Sequence, residues 1–197
     1  MSDRLRRALE RLEAAFVARG NPVVAGLQPG LSEAKVRARL LPLGIDAPPD
    51  LVTLFSWHNG YKPPEGPTDG GWHGWIGPGI RPITLDEACD MYSNNLEDFE
   101  LDPDVLGGAK GSDCFPILDG DGWTSYLMDC RGDGPERGSV MAYHITNTTE
   151  PAQRPRTLAE PIDSAVGYVE SGAWRWSRES GWVDHRTEAE IARGIFF

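Results

Sequence analysis

The chain has 197 residues, 40% apolar and 25% charged, enough for one sizeable core in an ordinary globular composition. A formal net charge of −11 sets an acidic surface against phosphate backbones and argues against nucleic acid as a partner. No stretch approaches the roughly 20 apolar residues that cross a bilayer, and the start leads into a charged helix rather than a signal peptide, so no membrane association and a cytosolic location are expected.

Residues 3–19, DRLRRALERLEAAFVAR, place Leu5, Leu9, Leu12 and Phe16 on one helical stripe with Arg and Glu opposite. Ser2 is placed to cap the start, and Gly20 to end the helix. Residues 21–30 read as a Pro- and Gly-rich loop. Ser32 caps a second helix running to about Leu41, with Leu31 and Val36 spaced as a hydrophobic staple, and Pro42 and Gly44 break it. In the next segment, Pro48-Pro49 presets a first turn and Asp50 suits the positive end of a helix dipole. Leu51, Leu54, Phe55 and His58 share a face there, and Asn59-Gly60 reads as a left-handed stop.

Residues 61–79 form a long Gly- and Pro-rich loop with room for a short strand at Trp75-Ile76, and a strand is expected over 80–83. Thr84-x-x-Glu87 is a capping box that opens a helix to about Leu96. Five acids follow: Glu97, Asp98, Glu100, Asp102 and Asp104. Strands are expected over 114–118, 123–128 and 139–145, the first pair joined by Asp119-Gly120-Asp121-Gly122 as a hairpin turn. Residues 151–155 read as loop. Ile162, Ala165, Val166 and Val169 then mark a helical face closed by Gly172. The remaining tail carries Trp174, Trp176 and Trp182, which suit packing a terminus down, and Thr187-x-x-Glu190 offers a start for a last short helix.

Little in this pattern points to catalysis. No G-x-S-x-G elbow, dinucleotide fingerprint or phosphate loop occurs. The three cysteines, Cys89, Cys114 and Cys130, are widely spaced with no C-x-x-C pair, and read as small buried hydrophobes. No two of His58, His73, His144 and His185 stand at the spacing of a helical zinc pair, so neither metal nor cofactor is expected. Asp119-Gly120-Asp121-Gly122 begins like a calcium loop, but Trp123, Thr124 and Cys130 occupy positions that a calcium loop gives to a ligand, a glycine and a closing glutamate. Arg131-Gly132-Asp133 reads as turn chemistry. His58, at the end of an apolar helix, reads as a structural residue; an enzyme built on His58, His144 or the Asp cluster is the weaker alternative. The aromatic residues Trp72, His73 and Trp75 stand out as anchors for a protein partner, with folding back onto the core as the rival use of the two indoles.

The order of these parts resembles the SUKH superfamily, named for homology to cell-wall-assembly regulators. "LGIDAPPDLVTLFSWHNG" resembles its "LP-x-x-L…L/Y-x-x-x-N-G" segment, and Trp75-Ile76-Gly77 with "IRPITLDEA" is similar to its strand-then-helix step. "CFPILDGDGWTSYLMDC" resembles its "F-P-I/F-A-x-D-G-x-G…Y-x-x-D" hairpin, "GSVMAYHIT" its next strand, and "TLAEPIDSAVGYVESGAW" its closing helix. The match spans about residues 42–174. The chain departs from the pattern in Pro48-Pro49, where one Pro is usual, and in residues 159–162, which lack the usual Phe pair.

The resemblance implies one α+β domain, a twisted, largely antiparallel sheet flanked by helices, over residues 41–174. Residues 1–40 would be a helical extension packed on it and 175–197 a tail. The resemblance also implies a non-catalytic protein-binding domain. Many bacterial members look like immunity proteins that neutralise toxin domains, and fungal members are regulatory scaffolds. For an immunity protein the acidic charge suits a toxin with a basic active-site cleft, and the expected contacts are Trp72, His73, Trp75, Glu97, Asp98, Glu100, Asp102 and Asp104.

Overall fold

The computed structural model describes residues 2–63, 74, 76–78, 80–95, 110–120, 124–132, 136–144, 156–177 and 179–187. The first helix, α1 (Asp3–Ala18), starts where the Leu5 N–H donates to the Ser2 hydroxyl, 3.4 Å away. Its stripe is fully used: Leu5, Leu9, Leu12 and Phe16 are all at 0% exposure, and each such burial is worth about 2–3 kcal/mol. That stripe packs against α4 (Pro49–Trp57) and α6 (Ala159–Ser171). Arg4 and Arg11 reach across the α1–α6 seam to Asp163 and Glu170 as exposed ion pairs, which add little beside the apolar contact. Helix α6 buries Ile162, Ala165, Val166 and Val169 and ends at Gly172 with φ 78°.

Residues 21–30, expected as loop, hold a single helical turn, α2 (Val23–Gly26), and a short strand, β1 (Leu27–Pro29). The strand exists because it pairs antiparallel with β2 (His58–Tyr61), a partner some 30 positions on that local sequence does not reveal. Helix α3 (Glu33–Leu40) is capped by the Ser32 hydroxyl, gives way to a 3-10 turn over Leu41–Leu43, and breaks at Gly44 with φ 73°. Helix α4 then buries Leu51, Val52, Thr53, Leu54 and Phe55, most of its circumference rather than one face.

The stop after α4 differs from the expected one. The chain turns at His58, already extended at φ −144° and ψ 141°, and Asn59-Gly60 lies within β2. Gly60 does hold a left-handed φ of 75°, but its use is a close approach. A Cβ there would sit 2.4 Å from the Thr84 nitrogen and 2.5 Å from the Ile83 carbonyl carbon.

The main sheet is a five-stranded antiparallel meander in chain order: β3 (Arg81–Pro82), β4 (Cys114–Asp119), β5 (Thr124–Asp129), β6 (Ser139–His144) and β7 (Arg156–Thr157). Its middle strands are the three expected from the β-prone runs. Strand β3 is shorter than expected, and β7 was not foreseen. Five of the six residues of β4 are buried, and the β4–β5 register shifts between Pro116 and Leu118, where proline lacks a ladder N–H. Helix α5 (Leu85–Asn95) packs on β4, with Tyr92 beside Phe115 and its hydroxyl donating to the Ser112 carbonyl at 2.8 Å.

The expected tail is instead a hairpin, β8 (Trp174–Ser177) and β9 (Gly181–Asp184), pairing Trp176 with Trp182. Trp174 is 2% exposed and belongs to the single core cluster that also holds α1, α4, α5, α6 and the sheet. The possible final helix beyond Thr187 lies outside the described residues. The whole is an α+β fold, an antiparallel sheet with helices packed around it. Among the described residues no helix is long and apolar enough to cross a membrane.

Candidate functional site

A cleft of about 520 Å³ opens where the β1–β2 ribbon meets β3 and the start of α5. Local chemistry fixes the helix end of this cleft. The Glu87 N–H donates to the Thr84 hydroxyl at 3.1 Å, and the Thr84 N–H donates to Glu87 Oε2 at 2.7 Å, completing the capping box. The Leu85 N–H, another orphan donor of the first turn, is taken by Asn59 Oδ1 from β2 at 2.9 Å. Gly60 permits this because the two backbones touch there.

Arg81 organises the charged floor. Its Nε and Nη2 donate to Asp119 Oδ2 at 3.2 and 3.0 Å, and its Nη1 donates to Glu87 Oε1 at 3.0 Å. Burial alone would push the Glu87 carboxyl up, but the Thr84 N–H and the Arg81 guanidinium outweigh it and hold the group below its ordinary value. Burial likewise opposes the Arg81 charge, and its two carboxylates more than offset that and raise its pKa.

Tyr61 forms a wall. Its ring is held so tightly by Gly26 and Gly74 that a Cβ on either would come within 2.4 Å of a ring carbon. The residue is 8% exposed and its hydroxyl has no hydrogen-bond partner among the described residues, and burial raises its pKa. Lys62, Gln28 and Pro63 complete the rim.

Beside the cleft, His58 joins three segments. Its Nδ1 lies 2.9 Å from the Gln28 carbonyl oxygen and its Nε2 lies 3.2 Å from Glu13 Oε2, which also accepts from Trp57 Nε1 at 3.0 Å. The residue thus ties α1 to both strands of the ribbon.

The arrangement separates committed groups from open ones. Arg81, Glu87, Asp119 and Thr84 bind one another. Asn59 uses its oxygen on Leu85, which leaves its amide N–H groups, and Gln28 donates to the Gly26 carbonyl at 3.0 Å, which leaves its side-chain oxygen. An amide donor, an amide acceptor and the Lys62 ammonium are groups for recognising a peptide unit.

The eight residues expected as partner contacts, Trp72, His73, Trp75, Glu97, Asp98, Glu100, Asp102 and Asp104, lie outside the described residues. Within the stretch read as a loop over residues 61–79, Pro63 and Gly74 are described, and both line the cleft. The polar groups of the cleft were not singled out from sequence, apart from the capping box. The thiols stay protonated near neutral pH, since burial pushes Cys114 up to about 12 and raises Cys89 and Cys130 as well. Among the described residues no three His, Cys, Asp or Glu side chains cluster to hold a metal. Comparison with known proteins finds no family model and no curated protein that matches the chain.

Proposed function

We propose that this chain is a non-catalytic, cytoplasmic protein-binding domain of the SUKH type, an immunity protein that covers the active-site cleft of a toxin domain. The observation that carries this reading is the division of labour in the cleft. Arg81, Glu87 and Asp119 are spent on one another, and what remains open, the Asn59 amide, the Gln28 oxygen and Lys62, suits the polar backbone of a protein partner. The net charge of −11 supports the same reading, because an acidic binder is steered toward a basic substrate cleft. Pro63 and Gly74, which belong to the same segment of sequence as Trp72, His73 and Trp75, line the cleft, which supports those three residues as the anchors to test.

The test is co-expression with the C-terminal domain of a large secreted protein encoded next to this gene, scored by growth rescue and co-purification. Rescue with a stable complex supports the reading. Neither rescue nor complex removes the immunity function and leaves the regulatory scaffold. In a complex, reversing the charges of Glu97, Asp98 and Glu100 slows association at low salt, by about tenfold for a steered encounter, and an unchanged on-rate rules out the acidic run as the steering surface.

A further inference from the structure

A second cavity, of about 190 Å³, lies at the C-terminal ends of α1 and α6 beneath the β8–β9 hairpin, and it shares no lining residue with the cleft. Its walls are Phe16, Val169, Trp174, Trp176 and Trp182. Phe16 meets Trp182 edge-on with ring centroids 5.9 Å apart, and Trp174 meets Trp182 the same way at 6.4 Å. Arg186 lies over the Trp174 and Tyr168 rings, 5.2 and 5.1 Å from their centroids, and is bound in turn by both oxygens of Asp184. The aromatic wall is therefore braced rather than loose.

The polar groups on this cavity are donors. Asn21 is 6% exposed; its Oδ1 accepts from the Val23 N–H at 2.9 Å, which fixes the amide orientation and leaves the NH₂ as the open end. Arg19 donates one N–H to the Glu170 carbonyl at 2.7 Å, and Arg175 donates Nε to the Gly172 carbonyl at 2.9 Å. These carbonyls end α6, so each guanidinium is held in place by a backbone oxygen. Among the described residues neither has a carboxylate within ion-pair distance, whereas Arg4, Arg11, Arg37, Arg39, Arg81, Arg131, Arg137 and Arg186 all do. In a chain of net charge −11, two arginines without a carboxylate flank one aromatic pocket that also holds a buried amide donor.

The geometry points to a binding site for a small aromatic carboxylate, its ring against the half-buried Trp176 and Trp182 and its carboxylate on Arg19, Arg175 and the Asn21 amide. The chemistry is complementary on each count. A planar ring gains edge and face contacts with indoles, and a guanidinium with spare N–H groups pairs with a carboxylate through charge-assisted bonds. The volume fits one ring with a short acid chain, given about 30 Å³ per water displaced. A cation would meet the positive charges of Arg19 and Arg175, with no carboxylate side chain among the residues lining the cavity.

The experiment is a titration of the ¹⁵N-labelled full chain with phenylacetate, following the indole N–H signals, with 2-phenylethylamine and a tripeptide amide ending in Phe as controls. Phenylacetate is expected to shift the Trp174, Trp176 and Trp182 signals saturably, and the amine is not. Arg175→Gln, at an exposed side chain whose hydrogen bond among the described residues is to the Gly172 carbonyl, is expected to weaken binding by about tenfold, the worth of one charge-assisted contact. Arg19→Gln is expected to do the same, and far-ultraviolet circular dichroism and Tm monitor the fold of both variants. The assignment is overturned if phenylacetate gives no saturable shift, if the amine binds equally well, or if both folded variants bind phenylacetate as the parent does. Binding of the tripeptide amide but not of phenylacetate also overturns it, since an apolar peptide groove then explains the cavity.

Discussion

The α1–α4–α6 seam and the β2–β3–α5 cleft are held by different forces. The seam is apolar and redundant: Leu5, Leu9, Leu12 and Phe16 from one helix meet Ile162, Val166 and Val169 from another, all within 1% of full burial. Losing one contact leaves the rest. The cleft is polar and singly connected: one glycine sets the spacing, one asparagine caps one N–H, and one arginine joins two carboxylates. Stability concentrates in the first region, and the chemistry available to a partner in the second. A site needs groups with unsatisfied capacity, and the seam offers them only at its end, where Arg19, Asn21 and Arg175 meet the β8–β9 hairpin.

The comparison breaks most visibly at Phe16, buried at 0% exposure and set edge-on to Trp182. Phe16→Ala is expected to cost about 4 kcal/mol, from lost transfer energy and the cavity left behind. Urea denaturation measures it, and a loss below about 1.5 kcal/mol would mean that the seam collapses to fill the gap. In the cleft the largest effect belongs to Gly60. Gly60→Ala places a methyl 2.4 Å from the Thr84 nitrogen in a left-handed conformation, and the expected cost is about 3 kcal/mol. It should also push β2 away from α5 and strip the Asn59 cap from Leu85. The Asn59 and Leu85 amide signals would report that movement, and signals matching the parent would show that the contact is not obligatory.

The two regions also differ in how far the sequence discloses them. The seam is written in periodicity: Leu5, Leu9, Leu12 and Phe16 recur at helical spacing, Ser2 caps, and Gly20 and Gly172 stop their helices, so α1 and α6 are readable by eye. The capping box at Thr84 and Glu87 is equally local and equally legible. The β1–β2 ribbon is not. Leu27-Gln28-Pro29 and His58-Asn59-Gly60-Tyr61 have no alternation, and Asn-Gly after an apolar helix is strong stop chemistry, so the segment reads as a helix end when tertiary pairing has made it a strand. The β8–β9 hairpin escaped for the same reason: its tryptophans announce packing but not the pairing that delivers it. The cleft draws Gln28, Tyr61, Arg81 and Glu87 from three separated segments, and no spacing rule links them. Of the stretches read as candidates for function, only the loop over residues 61–79 holds cleft residues, Tyr61, Lys62, Pro63 and Gly74.

The smallest expected effect is also the most specific to the cleft, because it depends on charge. Glu87 carries a carboxyl held below its ordinary value in the folded chain by the Thr84 N–H and Arg81, against the upward push of burial. Unfolded, it returns to the ordinary glutamate value. A group whose folded value is depressed contributes its stabilisation in full above the unfolded value, and loses it as pH falls through the unfolded and then the folded value. Glu87→Gln keeps an oxygen for the Thr84 N–H, since glutamine also serves a capping box, but gives Arg81 no charge. At pH 7 the variant should be less stable by about 0.5–1 kcal/mol, discounted because the pair is partly exposed. Toward pH 3 the gap should narrow, because Glu87 is then protonated in the unfolded chain and increasingly in the folded one. Urea denaturation at both pH values decides it: a gap that persists undiminished in acid would mean that shape, not the Arg81–Glu87 charge pair, holds the floor of the cleft together.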